Sequence, residues 1–218
     1  MRVTPPRLVR SGIILAAAAT LGLGIAGFTS SATMKASDPP KDAWLKGLNG
    51  THRQIFDTPD VGGGIPLVHV MNYYDTYNTA YGIKDSDIDA VITFYGGVTL
   101  YALNDAMWSK YKVGEFLKVN GADGKAVTAN PWRSAPVIMG GPIPAASIET
   151  LQKRGATMIL CNNALGIFAG FVAKANGLEQ GVVYNDMKAN ILPGVELVPA
   201  MVIAIGQAQK KGLTYLRN

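Results

Sequence analysis

Cysteine is almost absent from this chain, which contains a single residue of this type, Cys161, among 218. One cysteine cannot form an internal disulfide, and one cysteine with two histidines cannot supply the soft ligands of a structural zinc site. The chain after residue 32 also lacks the G-x-G-x-x-G, G-x-x-x-x-G-K-[ST] and G-x-S-x-G motifs. Dinucleotide binding, P-loop nucleotide binding and serine hydrolysis are therefore unsupported. We expect no metal site and no cofactor.

Acidic residues are missing from residues 1–32, which carry Arg2, Arg7 and Arg10 and then an uncharged, Ala- and Gly-rich run over residues 13–28. Small residues follow the run, an order typical of a secretory signal peptide. The run has about 16 residues, fewer than the ~20 of a membrane-spanning helix. We therefore predict a signal peptide and an exported, periplasmic protein. The alternative is an uncleaved N-terminal anchor, which would be the protein's only contact with a membrane.

A basic surface is also missing once the leader is set aside. The whole chain has a formal net charge of +5, and the three arginines of the leader account for the difference between +5 and +2. No basic run interleaved with aromatic residues remains, so we expect no nucleic-acid partner. The polar residues 33–51, with two adjacent prolines, indicate an irregular lead-in. Residues 52–218 have the length of a single domain.

Strand-like and helix-like patterns alternate along residues 52–218. Apolar runs typical of strands cover residues 52–57, 87–97, 156–161, 195–199 and 213–216. Helical patterns cover residues 65–81, 98–111, 147–154, 163–176 and 200–211. Residues 112–142 indicate an insertion, and residues 178–191 a linker that could hold a short helix. The alternation predicts an α/β fold, an open parallel five-stranded sheet with helices on both faces in a flavodoxin-like three-layer arrangement.

The single cysteine lies where the third predicted strand runs into a helix. Ligands of open α/β sheets bind outside the carboxyl ends of the strands. A thiol at a helix N-terminus also faces unpaired N–H groups and the positive end of the helix dipole, which favour the reactive thiolate. Cys161 is therefore the candidate catalytic residue. The amides of Asn162 and Asn163 could hold an anion or a bound sulfur species, and their alternative role is to cap the helix.

Two other strand ends supply the remaining candidate binding residues. Asp57 ends the first predicted strand, and Gly96 and Gly97 end the second. Because the carboxyl ends of parallel strands meet at one edge of a sheet, these residues are expected near Cys161. A weaker hypothesis is an enzyme that acts on a small molecule in a crevice shared between subunits and rimmed by residues 58–64, 96–97 and 140–141.

Three stretches of the second half follow the order and spacing of a known family. They read ILCNNAL over residues 159–165, LPGVELVPA over residues 192–200 and AQKKGLTYL over residues 208–216. In these stretches the chain resembles the DsrE/DsrF-like family of small sulfur-relay proteins, and the strand at 89–97 fits loosely. The resemblance implies a DsrE-like domain, a homo-oligomer, and a cysteine at position 161 that accepts sulfur as a persulfide. The chain differs from the sulfur-carrying members in its leader, its tyrosine-rich first helix, its insertion and its lack of a second cysteine.

Two hypotheses for function follow. In the first, the protein is a periplasmic sulfur carrier, similar to a sulfurtransferase, that exchanges sulfur with a donor or acceptor protein through Cys161. In the second, it is a non-enzymatic binding or assembly module in which Cys161 is a small buried hydrophobe. The tyrosines of the first helix would then make the subunit or ligand contacts. A cysteine exposed in a cleft at a strand end would favour the first hypothesis, and burial within a strand the second.

Overall fold

A parallel sheet forms the centre of the protein, and a computed structural model describes residues 42–218. The predicted signal peptide and the first part of the lead-in lie outside the described residues. The described strands are β1 (His52–Asp57), β2 (Ile88–Phe94), β3 (Val137–Ile138), β4 (Gly141–Pro142), β5 (Thr157–Cys161), β6 (Val195–Val198) and β7 (Thr214–Arg217). β3 and β4 form a short antiparallel hairpin. The other five strands make one parallel sheet in the order β6-β5-β2-β1-β7.

Seven α-helices in the described residues connect and cover these strands. They are α1 (Ile65–Tyr81), α2 (Asp105–Lys110), α3 (Val113–Leu117), α4 (Ile148–Lys153), α5 (Asn162–Asn176), α6 (Gln180–Ala189) and α7 (Met201–Lys210). Local chemistry explains several of their ends. Gly82 and Gly177 end α1 and α5 in the left-handed conformation that glycine adopts without strain. The Ser147 hydroxyl accepts the N–H of Thr150 and so caps α4.

The direction of the crossovers decides which face each helix covers. From β1 to β6 every new sheet strand is added on the same side, whereas the last crossover returns the chain across the sheet to place β7 beside β1. Because parallel crossovers are right-handed, the first connections lie on one face and α7 lies on the other. Core packing agrees, since Leu67 of α1 and Leu165 of α5 join one cluster, and Ala204 of α7 joins a second. The expected three-layer α/β fold is confirmed.

The segment after β2 differs from the helix expected over residues 98–111. A 3-10 turn covers Gly96–Ala102, and only Asp105–Lys110 is α-helical. Residues 98–103 are buried without a solvent-facing side, which a surface helix would need. Leu103 pairs with Ile191 as an isolated bridge, and the Asn104 side chain caps α2 by accepting the N–H of Met107. Long-range pairing therefore interrupts the helix.

Two connecting segments are more ordered than their composition indicates. The linker at residues 178–191 contains a helix of 10 residues, α6, which packs on α5. Within the proposed insertion, the Asn130 amide donates to the carbonyl oxygens of Tyr101 and Leu103. The same segment buries Trp132 against the Tyr101 ring. These contacts tie residues 112–142 to the main core.

Candidate functional site

The candidate residues lie at the carboxyl edge of the sheet, where four neighbouring strands end. Asp57 ends β1, Gly96 and Gly97 follow β2, and Cys161 ends β5. The sequence predicted that these strand ends meet at one edge. The sequence did not predict that the N-terminus of α7, which follows β6, also lies at this edge.

A cavity of about 310 Å³ opens beside Cys161, and we call it the Cys161 cavity. Three of the predicted residues line it together, namely Gly96, Cys161 and Asn163. Its other walls are mostly apolar and include Phe168 and Met201. Cys161 itself is only 6% exposed. The cysteine is therefore both at a strand end and largely buried, a combination that neither sequence hypothesis described.

The sulfur of Cys161 is held by the backbones of two helices. Its Sγ accepts the N–H of Ala164 in the first turn of α5 at 3.4 Å and the N–H of Met201, the first residue of α7, at 3.3 Å. Amide hydrogens at helix N-termini carry partial positive charge and stabilise an anion that faces them. The arrangement suits a sulfur atom that carries negative charge during a reaction.

Strand register explains why two helix starts meet at one sulfur. Cys161 pairs with Val198, so β5 and β6 end at the same level. Helix α5 begins directly after Cys161, and α7 begins three residues after Val198. Ala200 has an extended backbone, which turns the chain so that the N–H of Met201 points back at the sheet edge. The second donor therefore depends on strand pairing, which local sequence does not reveal.

The two asparagines after Cys161 have different surroundings. Asn163 lines both the Cys161 cavity and a neighbouring depression between α5 and α6. Asn162 lines only that depression, where its side-chain oxygen accepts the hydroxyl proton of Tyr184 at 2.6 Å. Neither amide caps α5, because Cys161 is the N-cap residue and its sulfur accepts the capping hydrogen bond. The capping role considered for the asparagines thus belongs to the cysteine.

Asp57 does not line the Cys161 cavity, but its carboxylate is hydrogen-bonded to Tyr95, which does. The sequence did not identify this tyrosine. The Asp57 carboxylate is 2% exposed and accepts hydrogen bonds from the hydroxyls of Tyr95, at 2.7 Å, and Tyr215. Arg217 lies 3.7 Å away on the same carboxylate. Burial raises the pKa of Tyr95, and the hydrogen bond to Asp57 raises it further. Tyr95 lines the cavity, and its only signal in the sequence is its place directly after β2.

Gly96 is required by the close approach of two strand-end loops. Its φ is +57°, and a Cβ atom there would stand 2.7 Å from the backbone oxygen of Pro59. The next amide, that of Gly97, donates to the same oxygen at 2.7 Å. Gly97 itself does not line the cavity. The pair therefore joins the loop after β1 to the loop after β2 and shapes one wall of the cavity.

Both histidines of the chain lie away from the Cys161 cavity. His52 begins β1 and His69 is on α1, and both line a different groove. Gly140 and Gly141 lie at the β3–β4 hairpin and are not part of the cavity either. Among residues 42–218, no group of three or more His, Cys, Asp or Glu side chains is placed to bind a metal ion. Within that same range, no helix is long and apolar enough to cross a membrane.

Comparison of the chain with protein-family models and with curated proteins finds no match. The geometry of the Cys161 cavity therefore carries the main argument for function.

Proposed function

We propose that this protein is an exported sulfur carrier of the DsrE/DsrF-like kind, in which Cys161 accepts a sulfur atom as a persulfide and passes it on. The observation that carries the proposal is the pair of helix-terminal N–H groups, of Ala164 and Met201, that donate to the Cys161 sulfur. Hydrogen bonds to a charged acceptor are stronger than those to a neutral one. Such donors favour the thiolate before transfer and the persulfide anion after it.

The transfer is a sulfur exchange without net oxidation. The Cys161 thiolate attacks the outer sulfur of a donor persulfide, R–S–SH. A bond forms between Sγ and that sulfur while the donor S–S bond breaks, and the electron pair leaves with R–S⁻. The proton stays on the transferred sulfur until the new persulfide ionises. An acceptor thiolate then attacks the outer sulfur and releases the Cys161 thiolate, so the cycle needs only one cysteine.

The rim of the Cys161 cavity supports a protein partner. Ile167 of α5 and Val202 of α7 line the cavity and are 56% and 78% exposed, and the exposed ring of Phe171 packs against Phe168, which also lines it. Contiguous exposed apolar side chains are typical of interaction sites. A sulfur donor or acceptor protein, or a second copy of this chain in a homo-oligomer, would cover this surface next to the sulfur.

A second candidate function rests on the burial of Cys161. The side chain is packed with Ile159, Val198 and Met201 in the core cluster on the α7 side of the sheet. A structural cysteine that caps α5 and fills this core would have the same surroundings. The protein would then be a binding or assembly module, and thiol chemistry would contribute nothing to its function.

Mass spectrometry of native protein after incubation with inorganic polysulfide separates the two candidates. A sulfur carrier gains about 32 Da, the mass of one sulfur atom, on the peptide that contains Cys161, and a reductant removes it. The matched controls are Cys161→Ala, which cannot gain sulfur, and unfolded wild-type protein, in which the thiol is accessible. If unfolded protein reacts and native protein does not, Cys161 is structural and the sulfur-carrier proposal is wrong.

A further inference from the structure

An open groove of about 690 Å³ lies between α1 and the edge of the sheet formed by β1 and β7, beside the main core. Its floor is the α1-side face of β1 with Leu216 of β7, and its wall is the outer side of α1. We call it the aromatic groove. All four residues of β7 are exposed. The strands that follow α1, from β2 to β6, lie on the side of β1 away from β7. Their crossover helices therefore do not cover this corner of the sheet in the described chain.

Aromatic rings follow one another along the wall and floor of the groove. Tyr81 and Tyr77 have ring centroids 5.5 Å apart, Tyr77 and Tyr73 are 4.9 Å apart, and Tyr73 meets Phe56 at 5.3 Å. The last two contacts are edge-on. In an edge-on contact, one ring points its edge at the other ring, so its partner covers neither of its two faces. Flat ligands bind to ring faces. His52 packs against Tyr77 at 4.4 Å and continues the series.

The polar groups of the groove come from His, Gln, Asn, Thr and Tyr side chains. None of its ten lining side chains is Asp, Glu, Lys or Arg, and Leu216 is the only aliphatic one. A surface that packs against another helix would be richer in aliphatic side chains. Burial raises the pKa of Tyr73, so its hydroxyl remains neutral well into the alkaline range. A groove of aromatic faces with a few polar groups is typical of a small-molecule site.

One acceptor in the groove is held in a defined orientation. The Nδ1 of His69 donates to the Oδ1 of Asn218 at 2.6 Å, since an amide oxygen can only accept. Asn218 is itself fixed, because its backbone N–H donates to the Asp57 carbonyl oxygen at 2.8 Å and its side chain donates to Thr58 at 3.4 Å. In the imidazole tautomer that carries its proton on Nδ1, the other ring nitrogen, Nε2, is an acceptor.

We propose that the aromatic groove binds a flat, uncharged aromatic molecule that carries a hydroxyl or N–H group. The ligand rings lie against Tyr73, Tyr77 and Tyr81, and the ligand donor bonds to Nε2 of His69. The groove shares no lining residue with the Cys161 cavity, so this proposal does not rest on the proposed sulfur transfer. Its volume lies within the roughly 300–1,000 Å³ of small-molecule sites.

Binding of three probes to the full chain tests the proposal. The first, 2-naphthol, is flat and has a donor; the second, 2-methoxynaphthalene, is flat without a donor; the third, 2-decalol, has the donor on a saturated ring system. NMR titration locates the probes and gives their Kd values. We expect 2-naphthol to bind about tenfold more tightly than either of the others, the size of one hydrogen bond or of one good ring contact.

Variants separate the donor contact from the ring contact. His69→Phe should abolish the difference between 2-naphthol and 2-methoxynaphthalene while both still bind. Tyr77→Leu should weaken both, and Tyr81→Ala, at a position 69% exposed, should do so without disturbing the fold. Val182→Ala changes an exposed apolar side chain on α6 and is the control that should leave binding unchanged.

Three results would overturn the proposal. In the first, 2-decalol binds as tightly as 2-naphthol, so flatness is irrelevant. In the second, Tyr81→Ala and Tyr77→Leu both leave 2-naphthol binding intact, so the tyrosines do not hold the ligand. In the third, the chain self-associates through the groove and 2-naphthol only competes with that dimer, which would make the groove an interface between copies of this chain.

Discussion

The Cys161 cavity and the aromatic groove differ in what builds them. At the Cys161 cavity the groups that face the sulfur are backbone N–H groups, and a glycine lets two loops approach. At the aromatic groove the contacts are made by side chains of α1 and β1, and an asparagine side chain orients the histidine. The first site is buried at the end of the strands, and the second is open at the side of the sheet.

Because the two sites are built differently, different kinds of mutation should disturb them. Changes of backbone conformation or of N–H groups should affect the Cys161 cavity most, even where no side chain touches the sulfur. Changes of side chains that hold α1 should affect the aromatic groove. Asp57 lies between the two sites, because its carboxylate binds Tyr95 and its backbone oxygen binds Asn218.

The largest effect should come from Gly96→Ala. A left-handed φ costs a residue with a Cβ about 1–3 kcal/mol, and the new atom would stand 2.7 Å from the Pro59 oxygen. We expect the free energy of unfolding to fall by about 3 kcal/mol, measured by urea denaturation. Gly97→Ala is the matched control, because its Cβ would lie 3.4 Å from the same oxygen and its φ is not left-handed. Equal losses in both variants would show that the close approach at Gly96 does not matter.

The next effect concerns the second donor to the sulfur. Met201→Pro removes the N–H that bonds to Cys161, and proline fits the first position of a helix. Ala200 already has the extended backbone that a following proline demands. Met201→Ala loses a similar side chain and keeps the N–H. We expect iodoacetamide to alkylate Met201→Pro about tenfold more slowly at pH 7 than Met201→Ala, the effect of one hydrogen bond to a charged sulfur. Equal rates would mean that this N–H does not favour the thiolate.

The smallest effect concerns the polar contacts of Arg154, which we call the Arg154 clamp. They hold the C-terminal half of α1, the helix that forms the wall of the aromatic groove. The Arg154 guanidinium bonds to Asp75 and Asn78 of α1 and to Asp85 in the following turn. The hydrogen bond from Arg154 holds the pKa of Asp85 below its ordinary value of 3.8. A carboxyl group with a lowered pKa in the folded state stabilises the protein above the unfolded value, and that stabilisation is lost as pH falls through the folded value.

Asp85→Asn should therefore lower the free energy of unfolding by about 1 kcal/mol at pH 7, a modest figure because this carboxylate is partly exposed. The difference from the parent should shrink as the pH falls below 3.8. Chemical denaturation at several pH values measures both. Asp87→Asn is the control, since Asp87 is exposed in the same turn and makes no ion pair with any residue of the range 42–218. A loss that stays constant from pH 7 to pH 3 would show that the clamp is not ionic.

The sequence predicted the elements more accurately than their arrangement. The first helix, its end at Gly82, the cap at Ser147 and the strand that ends at Cys161 follow from patterns within about 15 residues of each position. The helix expected over residues 98–111 forms only over Asp105–Lys110, because Leu103 and Asn104 pair with Ile191 and Asn190, almost 90 residues later. At the candidate site, Cys161, Asn163 and Gly96 were identified from strand ends, whereas Tyr95 and the amide of Met201 were missed.

Local sequence patterns were enough to predict the alternation of strands and helices, the parallel sheet and the placement of Cys161 between a strand and a helix. Hydrophobic period, caps and glycine conformations act over a few residues, so these features can be recognised within short stretches. The second N–H that α7 donates to the sulfur, and the groove shared by His52, His69 and the tyrosines of α1, exist only in the folded chain. Strand order and register set these contacts, and both depend on which distant apolar surfaces pack together.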